Sequence, residues 1–387
     1  MLTRNPKATL RSLMLIVFIQ WMGASLGLPL FPLFLRHRGG TPTMIGLIMA
    51  SFFVAGLCTQ FAIGHLSDRF GRRPILIVGL LSYGLASFFY ALPLRADWFI
   101  VARVVQGASA GAIEVASLAA VAALFDESER GRAISRIFAA QLFGFAMGPL
   151  AGSTIGVNQL QWAFMATGIA SCLASFRALR SDLGDRVQND SVLPPIQWSS
   201  RIIGSLVAAS AGGLMVGVYE SCWSLLMTNH HASTFQIRLS WTFFCLPWVI
   251  LSPLGGYLAD HANRKMVAIA GTVNGAVFMA IYPHIHNNHI LLFLGALESV
   301  GTSLSMPSIS SLLTQGAVDR EFGRRQGLST TSNTAALAGS AAISGTLFSV
   351  NPALPFTLVA ICSMTLALSL PWWWRHTHGR SAHKVLV

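Results

Sequence analysis

Apolar stretches of about 20 residues, each bounded by a short polar cluster, follow one another from the beginning of this chain to its end. Roughly 20 residues of α-helix cross the ~30 Å of hydrocarbon in a bilayer, so the pattern restricts the fold to a bundle of membrane helices. Windows of that length place spans at 12–35, 43–65, 74–93, 98–124, 133–156, 160–177, 202–228, 235–258, 266–283, 290–314, 327–349 and 354–374. Of the 387 residues 53% are hydrophobic and only 10% charged, which leaves too little polar surface to solvate a globule of this size. The expectation is an all-α membrane protein with twelve transmembrane helices and no soluble domain. Arg4, Lys7 and Arg11 precede the first span as in a signal peptide, but that span is too long for a cleaved apolar region and eleven more follow, so it is read as a membrane helix.

A net charge of +12 would suit a nucleic-acid partner, but its distribution argues otherwise. With the N-terminus inside, 21 of the 26 basic residues fall on inner segments; Arg36, Arg38, Arg95 and Arg238 remain outside and Arg103 lies within a span. The positive-inside rule then places both termini in the cytoplasm, in a plasma membrane and most simply a bacterial inner membrane. Basicity reports topology, and no nucleic acid is expected. Cys58, Cys172, Cys222, Cys245 and Cys362 all fall inside spans without C-x-x-C spacing, so neither disulfides nor a metal site is expected. The sequon at Asn189 is assigned to an inner loop, where it would not be glycosylated.

The longest inner polar stretch carries Asp182, Gly184, Asp185, Pro194 and Pro195 and reads as a hydrated linker. It divides the chain into six helices over 1–177, a linker over 178–200 and six helices over 201–387. Gly64 and Gly256, Asp68 and Asp260, Arg72 and Arg264, and the pairs Gly131-Arg132 and Gly323-Arg324 are all separated by one shift of 192 residues. A single shift that holds across two separate loops indicates internal duplication. In membrane proteins that usually sets a substrate site at the midplane between the repeats.

The loop after the second span reads Gly64-His65-Leu66-Ser67-Asp68-Arg69-Phe70-Gly71-Arg72-Arg73. G-x-x-x-D-R-x-G-R-R at this place resembles the best-known motif of the major facilitator superfamily, and Gly256 to Lys265 is a decayed copy retaining Asp260 and Arg264. With the helix count and the duplication, the resemblance covers essentially the whole chain. It implies two pseudo-symmetric six-helix bundles, and a gate in which Asp68 latches the cytoplasmic side against the opposite half, helped by Arg69, Arg72 and Arg73. As mere topology signals the arginines would explain the charges but not the spacing of Gly64, Asp68 and Gly71.

The fourth span carries Arg103-Val104-Val105-Gln106-Gly107, which resembles the family's R-x-x-Q-G motif associated with proton coupling. Arg103 is roughly 7 Å below the outer surface, and at 100° per residue Arg103, Gln106, Ala110 and Glu114 share one stripe. A charge at a helix centre costs about 2.5–3.5 kcal/mol on insertion scales, so such a face is expected to meet protein or a wet cavity; the bland alternative for Arg103 is a guanidinium snorkelling to the interface. The fifth span reads Gly144-Phe145-Ala146-Met147-Gly148-Pro149-Leu150-Ala151-Gly152, with Ser153 where the drug and proton antiporter branch has a last glycine. Small residues at that spacing permit close helix packing, and Pro149 is expected to kink the span. The second-half stretch, Asn333 to Ser344, lacks the Gly-Pro pair.

Only Glu114, Glu220 and Glu298 lie well inside predicted spans, on the fourth, seventh and tenth helices, which line the central cavity in the family fold. Carboxyls in low dielectric can exchange a proton near neutral pH when access alternates. Glu220 is favoured as carrier, then Glu298, with Arg103 a candidate ion-pair partner; each acid has a static structural role as its alternative. Gln20, Trp21 and Trp223 are candidates for a substrate cavity, against the commoner use of such residues in packing. Trp372 to Arg375 reads as an interfacial anchor, and His230, His231, His284, His286 and His289 as solvated loop residues.

The resemblance thus implies a monomeric, proton-driven exporter of a small lipophilic or amphipathic molecule, with the bilayer, protons and its substrate as partners and no cofactor. A sugar or metabolite carrier would carry more Asn, Gln and Asp on cavity helices. A non-transporting sensor or scaffold has no need of Asp68 or the buried acids. No nucleotide loop, nucleophile motif or metal cluster suggests an enzyme.

Overall fold

A computed structural model describes residues 6–152, 154–180, 196, 198–317 and 319–375; the side chains of Gly64, Asp68, Arg69 and a few other helical positions lie outside the description. The described residues form twelve helices of 18 to 32 residues: α1 (Pro6–Leu26), α2 (Pro42–Phe70), α3 (Arg72–Phe89), α4 (Phe99–Leu124), α5 (Glu127–Ala151), α6 (Leu160–Leu179), α7 (Ser200–Val218), α8 (Thr234–His261), α9 (Arg264–Ile281), α10 (Asn288–Thr314), α11 (Asp319–Val350) and α12 (Leu354–Trp373). Ten stretches are long and apolar enough to cross a membrane. α3, which opens on Arg72 and Arg73, and α11, rich in Ser, Thr, Asn and Gly, are not among them.

α11 has a reason to be polar. Ser340 Oγ donates to the Leu214 carbonyl at 2.7 Å, Asn333 Nδ2 donates to the Ala209 carbonyl at 2.9 Å, and Ser332 and Ser210 hydroxyls lie 2.7 Å apart. These groups are satisfied by α7, so they need no water. Side chains also fix where several helices begin. Ser199 caps α7, Ser233 and Gln236 form a reciprocal capping box on α8, and Asn263 and Asn287 cap α9 and α10, accepting from the first free N–H groups.

The duplication extends to the breaks in the helices. α1 ends at Leu26 and continues through a 3-10 turn (Leu28–Leu30) into a short helix (Phe31–His37), with prolines at both starts. α7 ends at Val218, the repeat counterpart of Leu26, and continues through a π turn (Tyr219–Trp223) into a short helix (Ser224–Asn229). Packing repeats as well. α1 packs on α5 and α6, α2 on α4, and α3 on α4 and α6; α7 on α11 and α12, α8 on α10, and α9 on α10 and α12. Across the two sets the main contacts are α2 with α11 and α5 with α8.

The start of α1 and the end of α12 lie at what we term the termini side. There Lys265 Nζ donates to the Trp374 carbonyl at 2.6 Å, and Trp374 Nε1 to that of Arg201 at 3.4 Å. At the opposite, far side one buried core joins both halves, drawing Phe31, Ile45, Tyr90 and Phe164 together with Met215, Trp223, Ile237 and Tyr282. On the termini side the cores separate: Leu13, Leu80 and Val121 belong to one, Ala268, Leu312 and Trp374 to another. The molecule is therefore zipped across the far side.

Three sequence expectations change. α5 starts and ends earlier than 133–156, which puts Pro149 in its last turn. α11 begins eight residues before the expected 327. Arg238, counted with the outer charges at the start of the 235–258 span, is wholly buried in α8. The 178–200 linker falls mainly outside the described residues.

Candidate functional site

Glu298, a third of the way along α10, is 2% exposed. Its Oε2 accepts from the hydroxyl of Tyr282, just after α9, at 2.5 Å, and from that of Tyr219 in the π turn. Glu220 is the next residue in that turn; it is 5% exposed and its Oε2 has no hydrogen-bond partner among the described residues. A π turn widens the helix locally and re-aims consecutive side chains, a feature common at functional sites. Here it sends Tyr219 to Glu298 and leaves Glu220 Oε2 without a partner among the described residues. Aromatic rings pack around the two tyrosines that hold Glu298: Trp223 lies 5.3 Å from Tyr219 and 5.0 Å from Tyr282, and Phe244 5.3 Å from Tyr219.

Arg103 lies near the start of α4. It forms no ion pair among the described residues. Its guanidinium instead sits 4.7 Å from the centroids of both Phe31 and Phe52, a cation–π sandwich, with Nη2 3.4 Å from the Met49 sulfur. At 6% exposed it does not snorkel to an interface. The expected single polar stripe on α4 divides between neighbours. Gln106 turns to α3, accepting from Tyr90 and donating to Ser87, both at 2.9 Å. Glu114 turns to α2 and accepts from Gln60 at 3.2 Å. Arg103, Gln106, Tyr83 and Tyr90 also line a cavity of ≈ 10 Å³, on the order of one water.

The glycines of α5 have a plain steric role. A Cβ at Gly144 would lie 2.5 Å from the Phe18 carbonyl oxygen, one at Gly148 2.6 Å from that of Met22, and one at Gly152 2.7 Å from that of Leu26. One turn of α5 thus meets one turn of α1, three times in succession. In the second half the glycines change sides: Gly213 and Gly217 of α7 press on the Asn333 and Leu337 carbonyls of α11. Equal closeness from the opposite helix explains why α11 has no Gly-Pro pair. Gly152 has a further neighbour, since the Arg238 guanidinium fills the space a Cβ would need. Nη1 of Arg238 donates to the Leu26 carbonyl at 2.8 Å, so an arginine from α8 closes over the ends of α1 and α5; its Nε and Nη2 have no partner among the described residues.

In the repeated loops, Gly71 takes φ +88° between α2 and α3, a conformation that favours glycine, and Arg73 is exposed. The latch expected from Asp68 and Arg69, next to Gly64, lies outside the described side chains. In the second copy Asp260 and Arg264 pair at 3.8 Å on a solvent-exposed turn. Gln20 is buried and accepts from Ser171 of α6 at 3.0 Å, a bond internal to the first half. Trp21 packs edge-on to Phe145, and Trp223 Nε1 donates to Ser240 at 2.8 Å. Sequence reasoning missed Tyr219 and Tyr282. One signal was available for Tyr282, because the shift of 192 carries Tyr90 and Gln106 onto Tyr282 and Glu298 together.

The family model described as Major Facilitator Superfamily matches residues 13–219 and again 203–385. The chain is 24% identical over 383 residues to "Multidrug resistance protein 2" of Bacillus subtilis (strain 168), covering 95% of both chains. It is 27% identical over 296 residues to "Chloramphenicol resistance protein" of Pseudomonas aeruginosa, covering 73% of this chain and 70% of that one. Among solved structures, a bacterial homologue of the human lysosomal transporter Spinster, inward-facing and occupied, superposes with a TM-score of 0.76 at 12% identity, covering 96% of this chain and 98% of the other.

Proposed function

The chain belongs to the major facilitator superfamily of membrane transporters, and from that premise we propose that it exports a small lipophilic or amphipathic molecule in exchange for protons, by alternating access. The observation that carries the reading is that Glu220 and Glu298 are nearly fully buried acids in membrane helices, one held by two tyrosine hydroxyls and the other with an oxygen that lacks a partner among the described residues. Buried acids in membrane helices are costly and are retained for ion pathways and relays. Drug-resistance relatives that match most of the chain support export over import. So does the glycine series of α5, which the antiporter branch shares.

In this reading the chain crosses a plasma membrane, bacterial as for its drug-resistance relatives, twelve times as two six-helix bundles joined by the 178–200 linker, with both termini cytoplasmic. The zipped far side is then the outer side. The protein works as a monomer without a cofactor and draws on the proton gradient. Protons reach the acid pair when the outer side opens and leave toward the cytoplasm as the halves rock.

Everted membrane vesicles test this directly. Substrate addition should drive proton movement that Glu220→Gln or Glu298→Gln abolishes, and normal exchange in both variants would remove the coupling role of these acids. The cytoplasmic latch is testable by Asp68→Asn. Transport should slow by about tenfold, as for loss of a charge-assisted bond of roughly 1.5–3 kcal/mol, with membrane insertion unaffected; wild-type turnover would discard the latch.

A further inference from the structure

The surroundings of Glu298 differ from those of its repeat counterpart in a way that follows the chemistry of the side chain held. In the first half Gln106 has an amide, which must both accept and donate. Tyr90 gives a hydroxyl to its oxygen and Ser87 takes a proton from its nitrogen, each at 2.9 Å. One shift of 192 turns Gln106 into Glu298, Tyr90 into Tyr282, Ser87 into Met279 and Gly27 into Tyr219. An ionised carboxylate only accepts. The donor tyrosine is kept, the hydroxyl acceptor is replaced by a buried methionine, and a second hydroxyl appears from the π turn. Two positions, one on α9 and one in the π turn after α7, have changed in step with the acid. Bland packing would not sort donors from acceptors in this way.

We propose that Tyr219 and Tyr282 are positioning residues for proton exchange: together they hold the Glu298 carboxyl in place, and leave Glu220 as the acid whose oxygen is free to meet the proton path. The inference rests on the proton-coupled reading above and goes beyond it by dividing the work between the two acids. The π turn is the joint. Because Tyr219 and Glu220 are consecutive, any movement of α7 that opens a route to Glu220 also pulls on the bond to Glu298. Proton arrival at one acid is thereby tied to the hold on the other.

Tyr219→Phe, Tyr282→Phe and the double variant remove only hydroxyls, so the aromatic packing stays, and either single variant serves if the double fails to fold. Substrate-driven proton exchange should fall about tenfold in each single variant, the loss expected for one hydrogen bond to a charged group, and further in the double variant. Infrared difference spectra between low and high pH give the readout that packing alone would not move. The carboxyl stretching band absent from Glu298→Gln should shift to higher frequency in the tyrosine variants, because its C=O loses donors, while the band absent from Glu220→Gln stays in place. An unmoved Glu298 band, or wild-type exchange in the double variant, would overturn the proposal. The two levels separate cleanly. Normal exchange in Glu298→Gln removes the coupling role of that acid, whereas a dead Glu298→Gln beside fully active tyrosine variants removes only the clamp.

Discussion

Gly148→Ser should destabilise the protein by about 1–3 kcal/mol, the usual cost of overfilling a packed interface, and adding Ser25→Gly should restore most of the loss. A Cβ at position 148 would overlap Ser25 Oγ and press on the Met22 carbonyl, so α5 must back away from α1. Between membrane helices little hydrophobic force pulls the pair together again, since lipid is as apolar as the helix face, and close packing is most of what is lost. The second half shows the remedy. There Ser340, counterpart of Gly148, faces Gly217, counterpart of Ser25, and its hydroxyl donates at 2.7 Å to the carbonyl of Leu214, counterpart of Met22. The double variant rebuilds that arrangement in the first half, although Ser25→Gly alone costs ~1 kcal/mol as a helix glycine. Thermal unfolding of the four proteins in one detergent measures the coupling. Additive losses would mean that the repeats do not share this interface chemistry.

Arg238→Met should raise the unfolding temperature while slowing exchange. In the closed far side the arginine has one bond, to the Leu26 carbonyl, and two N–H positions without partners among the described residues. A charge-assisted bond is worth about 1.5–3 kcal/mol, and the carbonyl ends of α1 and α5 add about 0.3–2 kcal/mol through their dipoles. Removing a guanidinium from water costs several kcal/mol, so closure is at best balanced for this side chain, and replacing a buried charge by a fitted apolar one commonly stabilises by about 1–4 kcal/mol. Methionine should therefore hold the far side shut. Every ~1.4 kcal/mol of added preference lowers the open population tenfold, and exchange should fall with it. A variant that melts lower and exchanges faster would show that the Leu26 bond outweighs the cost of burial. Gly152 matters to the same contact, because any larger residue would displace the guanidinium.

How much of this was visible beforehand differs by level. Apolar runs about one bilayer thickness long located the helices, although α11 was cut short: its first turns carry charge, and its serines look solvated until α7 is seen to accept from them. The shift of 192 was legible from five loop residues per half, and it foretold an equivalence that packing then repeats pair by pair. Candidate acids were legible because a carboxylate in an apolar run is costly. Their partners were not. Tyrosine is unremarkable in a membrane helix, and nothing in a one-dimensional pattern says that Tyr219 and Tyr282 meet at Glu298, 79 and 16 residues away.

For the same reason Arg103, Gln106 and Glu114 looked like one polar face and turned out to serve different neighbours. Helical period fixes which residues point the same way, but not which helix fills that side. Arg238 is the sharpest case: charge and position assigned it to the outer surface, whereas 212 residues away in sequence the end of α1 left a carbonyl for it to reach. By itself, then, the sequence determined that this chain is a duplicated bundle of membrane helices with buried acids, because bilayer thickness and the cost of charge act on local stretches. The tertiary structure alone decided which acid is clamped, which is free and where an arginine seals the far side, because those outcomes depend on hydrogen-bond partners from helices far apart in the chain.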